Sequence, residues 1–223
     1  SHILTRMPPS SETCHSGGMP KIIGATLAEH RAQVRLRLFG ALSSLMEREG
    51  FDAITLADIA SEAGVGRTAV YNHFPDKESL LLGFIENETT SYIAALEESL
   101  AGIEDPVEQL RTYVQQQIRL KRVYHLAPGP DLRTVVSRNT MMGLRDHISK
   151  IEAPLRRILI QGIGTGRFPR QDLDAVVPLI NSCLNARHVP EDGPRRDRAI
   201  EETVAFVMRA VGVDPSVAVR RTA

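Results

Sequence analysis

The 223-residue sequence predicts an all-α fold of about nine helices. Three observations carry that reading. Apolar residues recur every three or four positions over most of the chain, the period of a helix with one buried face. Glycine and proline gather between these stretches, where they end one helix and open the next. No stretch alternates apolar and polar residues as a half-buried strand does, and no repeat period is present.

In chain order, residues 1–20 are rich in Ser, Pro and Gly and read as a disordered arm, with Ser1-His2 as the remnant of a cleaved tag. From Ala25 to Glu49 a stripe of Leu27, Val34, Leu38, Leu42 and Leu45 predicts a helix that Gly50 ends. Thr55, with Asp58 three residues on, has the form of a capping box for a short helix through about Glu62. A second short helix runs from about Arg67 to His73 and is stopped by Pro75. Asp76 then caps a long helix to Ala101 carrying Leu80, Leu81, Phe84, Ile85, Tyr92, Ile93 and Leu96.

Asp105-Pro106-Val107-Glu108 opens a helix that runs towards His125 and breaks at Ala127 to Pro130. Asp131 caps the next, and a further apolar stretch, Leu155 to Ile163, starts after Pro154. Gly164 to Asp172 is a loop, followed by the stripe Leu173, Val176, Val177, Ile180 and Leu184. His188 to Arg196 is another loop. The last helix carries Ile200, Val204, Val207, Met208 and Val211 on one face.

Composition removes whole classes of function. Lys plus Arg and Asp plus Glu are each 27, so the formal net charge is zero, and a binder relying on bulk positive charge is excluded. At 42% hydrophobic residues the chain is not broadly disordered. Two cysteines, Cys14 and Cys183, make no disulfide framework. No apolar run approaches the ~18 residues of a membrane helix, and no secretory leader is evident, so a soluble cytoplasmic protein is expected.

The informative stretch is Thr55 to Lys77, TLADIASEAGVGRTAVYNHFPDK. Two short helices joined by a tight turn at Gly64 are the form of a helix-turn-helix. Ile59, Ala60, Ala63, Val65 and Val70 supply the small apolar contacts between them. The second helix offers Arg67, Thr68, Tyr71, Asn72 and His73. Arg can fork onto guanine, Asn can pair with adenine, and Thr or Tyr hydroxyls suit phosphates or base edges. Thr55 and Lys77 flank the pair, where they could reach the backbone on either side of the groove. Lys21 to Lys77 holds seven basic and seven acidic residues, so binding depends on local placement, with Glu47 and Glu49 directed elsewhere.

This segment resembles the TetR family of bacterial transcriptional regulators. The resemblance rests on Gly50-Phe51 at the end of the first helix, the T-x-x-x-I-A-x-x-A-G-V run from Thr55 to Val65, Tyr71-x-His73-Phe74, and Lys77 with Leu80. It covers residues 22 to 82, with a weaker likeness over Gly162 to Asp174. It implies residues 21–75 as a DNA-binding domain, 76–215 as a ligand-sensing and dimerisation domain, and 216–223 as a tail. It implies DNA contacts at Thr55, Arg67, Thr68, Ala69, Tyr71, Asn72, His73 and Lys77, with Ala69 limited to packing or a thymine methyl. It also implies a homodimer on a palindromic double-stranded DNA operator, a repressor released by a small apolar effector. The dimer interface would be the stripe Leu173, Val177, Ile180, Leu184, Ile200, Val204, Val207, Met208 and Val211.

Other readings are weaker. Gly64 to Ala69 spells G-x-G-x-x-A, but a helix precedes it where a dinucleotide site needs a strand. The seven histidines show no H-x-x-x-H. Only His125 and His147, joined by Asp146 or Glu152, could approach one another, so no metal and no cofactor is expected. No nucleophile–base or paired-carboxylate pattern is present, and an enzyme is not expected. Tyr113, Val123, Met141, Met142, Leu144 and Cys183 could line an apolar effector cavity, or could equally be ordinary core. The alternative reading is a small-molecule- or metal-binding helical protein, or an enzyme, whose helix-turn-helix no longer binds DNA.

Overall fold

The computed structural model describes residues 22–120, 136–186, 189 and 193–213, with side chains from residue 26. Eight helices lie among the described residues, and no strand: α1 (Ile22–Arg48), α2 (Leu56–Glu62), α3 (Arg67–His73), α4 (Lys77–Leu100), α5 (Pro106–Leu120), α6 (Arg138–Gly164), α7 (Leu173–Ala186) and α8 (Pro194–Ala210). The expected arm, the tail, the continuation of α5 to His125, the break at 127–130 and the Asp131 cap lie outside the described residues.

The helix starts follow local chemistry. Thr55 and Asp58 close a reciprocal capping box on α2, and Asp76 closes another with Ser79 on α4. Ser137 caps α6 by accepting from the Thr140 amide. One boundary differs from the sequence reading. Pro154 begins no new helix; α6 runs unbroken through it from Arg138 to Gly164. A proline there removes one ladder donor. The turn is held from outside, because Pro154, Leu155, Ile158 and Leu159 are all buried against neighbouring helices. Pro178 also lies inside α7; it is itself exposed, with Val177 and Ile180 buried on either side.

Two apolar cores result. The lower one joins α1, α2 and α3 to the first half of α4 through Leu38, Leu42, Ile59, Val70, Leu80, Leu81 and Phe84, and includes Leu144 of α6. The upper one joins the second half of α4 to α5, α6, α7 and α8. The division falls within α4, between Ile85 and Tyr92, where the buried residue is Thr89. On α6 the corresponding buried residue is His147.

α4 and α6 run side by side in the same direction. Glu78 accepts from the Ser137 amide at 3.1 Å and from the Thr140 hydroxyl. Lys150 meets Glu86 at 3.2 Å, and Arg157 donates two bonds to Glu97 at 2.9 and 2.8 Å. Gly143 faces Leu82 between these pairs.

The stripe expected to pair two subunits is instead covered by the chain's own core. Val177, Ile180, Leu184, Ile200, Val204, Val207, Met208 and Val211 are buried in the upper core, and Leu173 packs against it half-buried. Helical periodicity identifies an apolar face, but it does not say what covers that face. The large apolar side chains left outside on these helices are Leu179, 67% exposed, and Phe206, 51% exposed.

After α6, Gly166 takes a positive φ of 71° and the Arg167 and Phe168 amides bond back to the Gly162 carbonyl at 2.8 and 3.0 Å. That turn folds the buried Phe168 ring over Gly162, where a Cβ would lie 2.0 Å from the ring. Gly162→Ala is expected to displace Phe168 and destabilise the chain by roughly 1–3 kcal/mol, the usual range for overpacking. Urea unfolding measures this, and an unchanged midpoint would show that the turn absorbs the methyl.

Candidate nucleic-acid interface

α2 and α3 meet at Gly64, whose φ of 61° is a conformation that glycine adopts without strain. The Val65 amide bonds to the Ala60 carbonyl at 2.9 Å and closes the turn. Ile59, Ala60, Val70 and Phe74 are buried beneath it, and Ala63 and Val65 pack at the edge. With Val70 inward and Ala69 half-buried, α3 turns Arg67, Thr68, Tyr71 and Asn72 to solvent. Tyr71 is 58% exposed. A phenol left out of the core on so short a helix is available to a partner.

Two of the expected contacts are engaged within the chain. The Thr55 hydroxyl donates to Asp58 Oδ2 at 2.6 Å and accepts from the Asp58 amide at 3.2 Å. The bond from the Thr55 hydroxyl, then that from the Thr55 amide and the charge of Arg67, hold the Asp58 carboxyl below its ordinary range. Lys77 Nζ donates to the carbonyls of Phe51 and Asp52, each at 2.9 Å, and of Ile54 at 3.0 Å. It also lies 4.8 Å from the centre of the Phe51 ring. An ammonium has three protons, and three carbonyls take them. Lys77 is therefore a clamp between the start of α4 and the α1–α2 connection, and in this arrangement it has no proton left for a phosphate.

The structure brings basic residues of α1 beside the expected contacts. His73, half-buried at the end of α3, lies against the first half of α1. Its imidazole is held below its usual range by partial burial, then by the charges of Arg31, Arg35 and His30. The Arg35 guanidinium stacks 5.1 Å from the centre of the Phe74 ring and 5.6 Å from that of Phe39. Arg31, Arg35 and Arg37 have no acidic partner among the described residues, whereas Arg48 pairs with Glu62 at 3.2 Å. A patch of uncompensated positive charge thus adjoins the exposed face of α3. The Arg31–Arg35 spacing of four residues was its trace in the sequence, but only the α1–α3 packing brings it to His73.

The expected effector-lining residues do not form one wall. Tyr113 is fully buried in the upper core and its hydroxyl donates to Asn181 Oδ1 at 2.9 Å. Leu144 and Met141 belong to the lower core, Met142 is 60% exposed, and Cys183 is half-buried. Val123 and His125 lie outside the described residues, so no pairing of His125 with the buried His147 is described. Among the described residues no group of three potential metal ligands gathers, and no helix is long and apolar enough to cross a membrane.

Lys77→Met should weaken the N-terminal half of the molecule. It keeps the apolar stem but orphans three carbonyls, a loss of about 1–3 kcal/mol. Thermal unfolding followed by circular dichroism tests this, and an unaltered melting temperature would mean that water replaces the ammonium without cost.

Comparison with known proteins places this arrangement. Residues 39–83, from the second half of α1 into α4, match the profile of the bacterial regulatory proteins of the tetR family. The nucleoid occlusion factor SlmA of Vibrio vulnificus strain YJ016 is 30% identical over 134 residues, 56% of this chain. The match spans 66% of that relative's length, just under two thirds. A bacterial regulatory protein of the tetR family from Rhodococcus RHA1 superposes at a TM-score of 0.68 with 22% identity, covering 81% of this chain and 98% of its own. RolR, in its complex with resorcinol, superposes at 0.57 with 27% identity, covering 86% and 93%. Residues 39–83 thus match the helix-turn-helix segment of the tetR family of bacterial regulatory proteins, and the helical frame that carries them resembles that of its solved members.

Proposed function

We propose that this chain is a homodimeric, sequence-specific DNA-binding transcriptional regulator, a repressor released from a palindromic operator by a small molecule. The observation that carries the reading is the outward face of α3, where Arg67, Thr68, Tyr71 and Asn72 stand exposed on a helix whose other side is locked into the core. Arg67 and Asn72 read base edges in the major groove, and Thr68 and Tyr71 serve base edges or phosphates. Ala69 packs at the edge of the contact. His73, with Arg31 beside it, supplies positive charge to a phosphate. Residues 21–75 form the DNA-binding domain and 76–215 the sensing and dimerisation domain.

The two-fold partner covers Leu179 and Phe206, the exposed apolar residues of α7 and α8. That pairing sets two α3 helices in successive major grooves, roughly 34–36 Å apart. Release works through α4, which follows α3 directly. Its first turn holds the α1–α2 connection through Lys77 and the start of α6 through Glu78. A small molecule that shifts α6 therefore moves the base of α4 and the spacing of the reading heads. A coupling of ~1–3 kcal/mol is typical of such systems.

A second reading is favoured by the 30% identity to the Vibrio SlmA proteins: a DNA-bound nucleoid occlusion factor. Both readings require the same DNA face. They separate on the number of genomic sites and on release by a small molecule.

The deciding experiment is a titration against DNA from upstream of the chain's own gene, with unrelated competitor DNA, at two salt concentrations. Saturable binding that survives competitor is expected. Arg67→Ala and Tyr71→Ala should each weaken it at least about tenfold, the effect of losing a contact of ~1.4 kcal/mol or more, while the dimer persists. Unchanged affinity in both variants would remove α3 from the DNA contact.

Phosphate beside His73 raises its pKa above the depressed value of the free protein, so binding takes up a proton. Affinity should therefore rise as pH falls from 7.5 to 6, and His73→Gln should flatten that dependence. A slope unaltered by the substitution would place His73 away from DNA.

Leu179→Glu with Phe206→Glu should give folded monomers by sedimentation with weakened operator binding. Val204→Glu, in the core, should unfold the chain instead. A persistent dimer in the double variant would move the interface off this face.

A further inference from the structure

Lys77 of α4 holds the connection after α1, and Gly83, further along α4, meets Phe39, so the two helices run in opposite senses. They are closest at that second point, where a Cβ on Gly83 would lie 3.4 Å from the Phe39 ring and 2.9 Å from that of Phe74. Beyond it a cleft of about 430 Å³ opens between Ala32, Leu36 and Phe39 of α1 and Gly83, Asn87 and Ser91 of α4. Arg35 and Glu86 line it too. Glu86 is paired with Lys150, whereas Arg35 has no acidic partner among the described residues. From Thr26 to Arg37 every residue but Val34 is exposed, Leu27 by 59% and Leu36 by 55%. Three helical turns with uncovered leucines are marginal in water by themselves, and such a face calls for a cover.

The chain carries a segment of suitable length and chemistry. Residues 1–21 precede α1, which begins at Ile22. They include Met7-Pro8-Pro9, one acidic residue, Glu12, and Gly17-Gly18 shortly before Pro20. Paired glycines permit a reversal, and proline suits the opening of the helix that follows. At 1.5 Å per residue, Arg35 lies roughly 20 Å along α1 from Ile22, and Phe39 roughly 25 Å. An extended chain turned back at Gly17-Gly18 advances about 3.1–3.4 Å per residue, so it passes Arg35 near Glu12 and reaches Phe39 near Pro9.

We propose that residues 7–16 fold back along α1 and dock in the α1–α4 cleft of their own chain. Met7, Pro8 and Pro9 cover Leu36 and Phe39, and Glu12 pairs with Arg35. A proline-rich strand on an aromatic floor loses little conformational freedom. It has no internal hydrogen bonds, so its carbonyls accept from Asn87, Thr90 and Ser91 on the α4 wall. The docked segment braces the first half of α1, which carries His30 and Arg31, and does so with or without DNA.

The test places a thiol where the docked segment passes. Cys14 falls about 12 Å back from the glycine turn, level with Ala32 and, across the cleft, with Ser91. The full chain carries Cys183→Ser, which leaves Cys14 as the one native thiol. Ser91→Cys is added, and diamide, the oxidant, takes up the two electrons released as the disulfide forms. His30→Cys is the control, at the same level of α1 but on the side opposite Ala32. The intrachain disulfide, read on non-reducing gels and by peptide mass, should form at least about tenfold faster with Ser91→Cys than with His30→Cys. Adding Leu36→Glu or Glu12→Lys should bring the rate down to that of the control. Ala32→Cys, on the other wall, repeats the measurement if Ser91→Cys does not fold.

Equal rates at the two positions would overturn the inference and leave the cleft to a different protein. A faster disulfide that joins two chains would overturn it as well, because the occupant would then be the segment of a second copy. So would a fast rate that neither Leu36→Glu nor Glu12→Lys lowers, since the bond would then report nearness without docking.

Discussion

The first turn of α4 joins the two halves of this molecule. Asp76 caps it through Ser79, and then two consecutive side chains reach in opposite directions. Lys77 grips three carbonyls of the α1–α2 connection, and Glu78 receives the amide and hydroxyls at the start of α6. The hydrogen bonds from Ser137 and Thr140 are what hold the Glu78 carboxyl below its ordinary range. A charged clamp facing each way, on a helix that directly follows α3, makes the position of the exposed α3 face dependent on the packing of α6. Charge-assisted bonds suit this task because their geometry is directional where apolar contact is not.

The rest of the fold is arranged around that junction. Apolar packing is close on both sides of it but is not continuous, since Thr89 and His147 interrupt the interior where one core gives way to the other. A single apolar core would have been the more stable solution, because buried polar groups without partners oppose folding. The interior is thus divided along α4 into two apolar cores, one for each half of the molecule. Above and below this layer, α4 and α6 are laced on the outside by Lys150–Glu86 and Arg157–Glu97. Exposed pairs like these add little stability, but they hold the register of two parallel helices.

Much of the fold was legible because its signals are local. The caps at Thr55 and Asp76, the glycine turn at Gly64 and the stop before Pro75 each depend on atoms within a few residues. The outward set on α3 was legible too, since a seven-residue helix with Val70 inward leaves little choice for Arg67, Thr68, Tyr71 and Asn72. The part that Lys77 plays within the chain was not legible, because its three carbonyl partners lie 23 to 26 residues earlier. Pro154 was misread because its local preference to begin a helix was outweighed by the burial of its turn, with Leu155, Ile158 and Leu159, in the interior.

What the sequence determined by itself was the helical class, the helix boundaries set by caps, and the place of the helix-turn-helix, all functions of periodicity and near-neighbour hydrogen bonds. Only the tertiary structure decided which apolar stripes face inward. It put Val177, Val204 and their neighbours in the chain's own core and left Leu179 and Phe206 outside. It also gathered Arg31, Arg35 and His73 into one positive patch. The reason is physical: an amphipathic helix specifies a face but not its partner, and contacts between residues far apart in the chain exist only once the helices have packed.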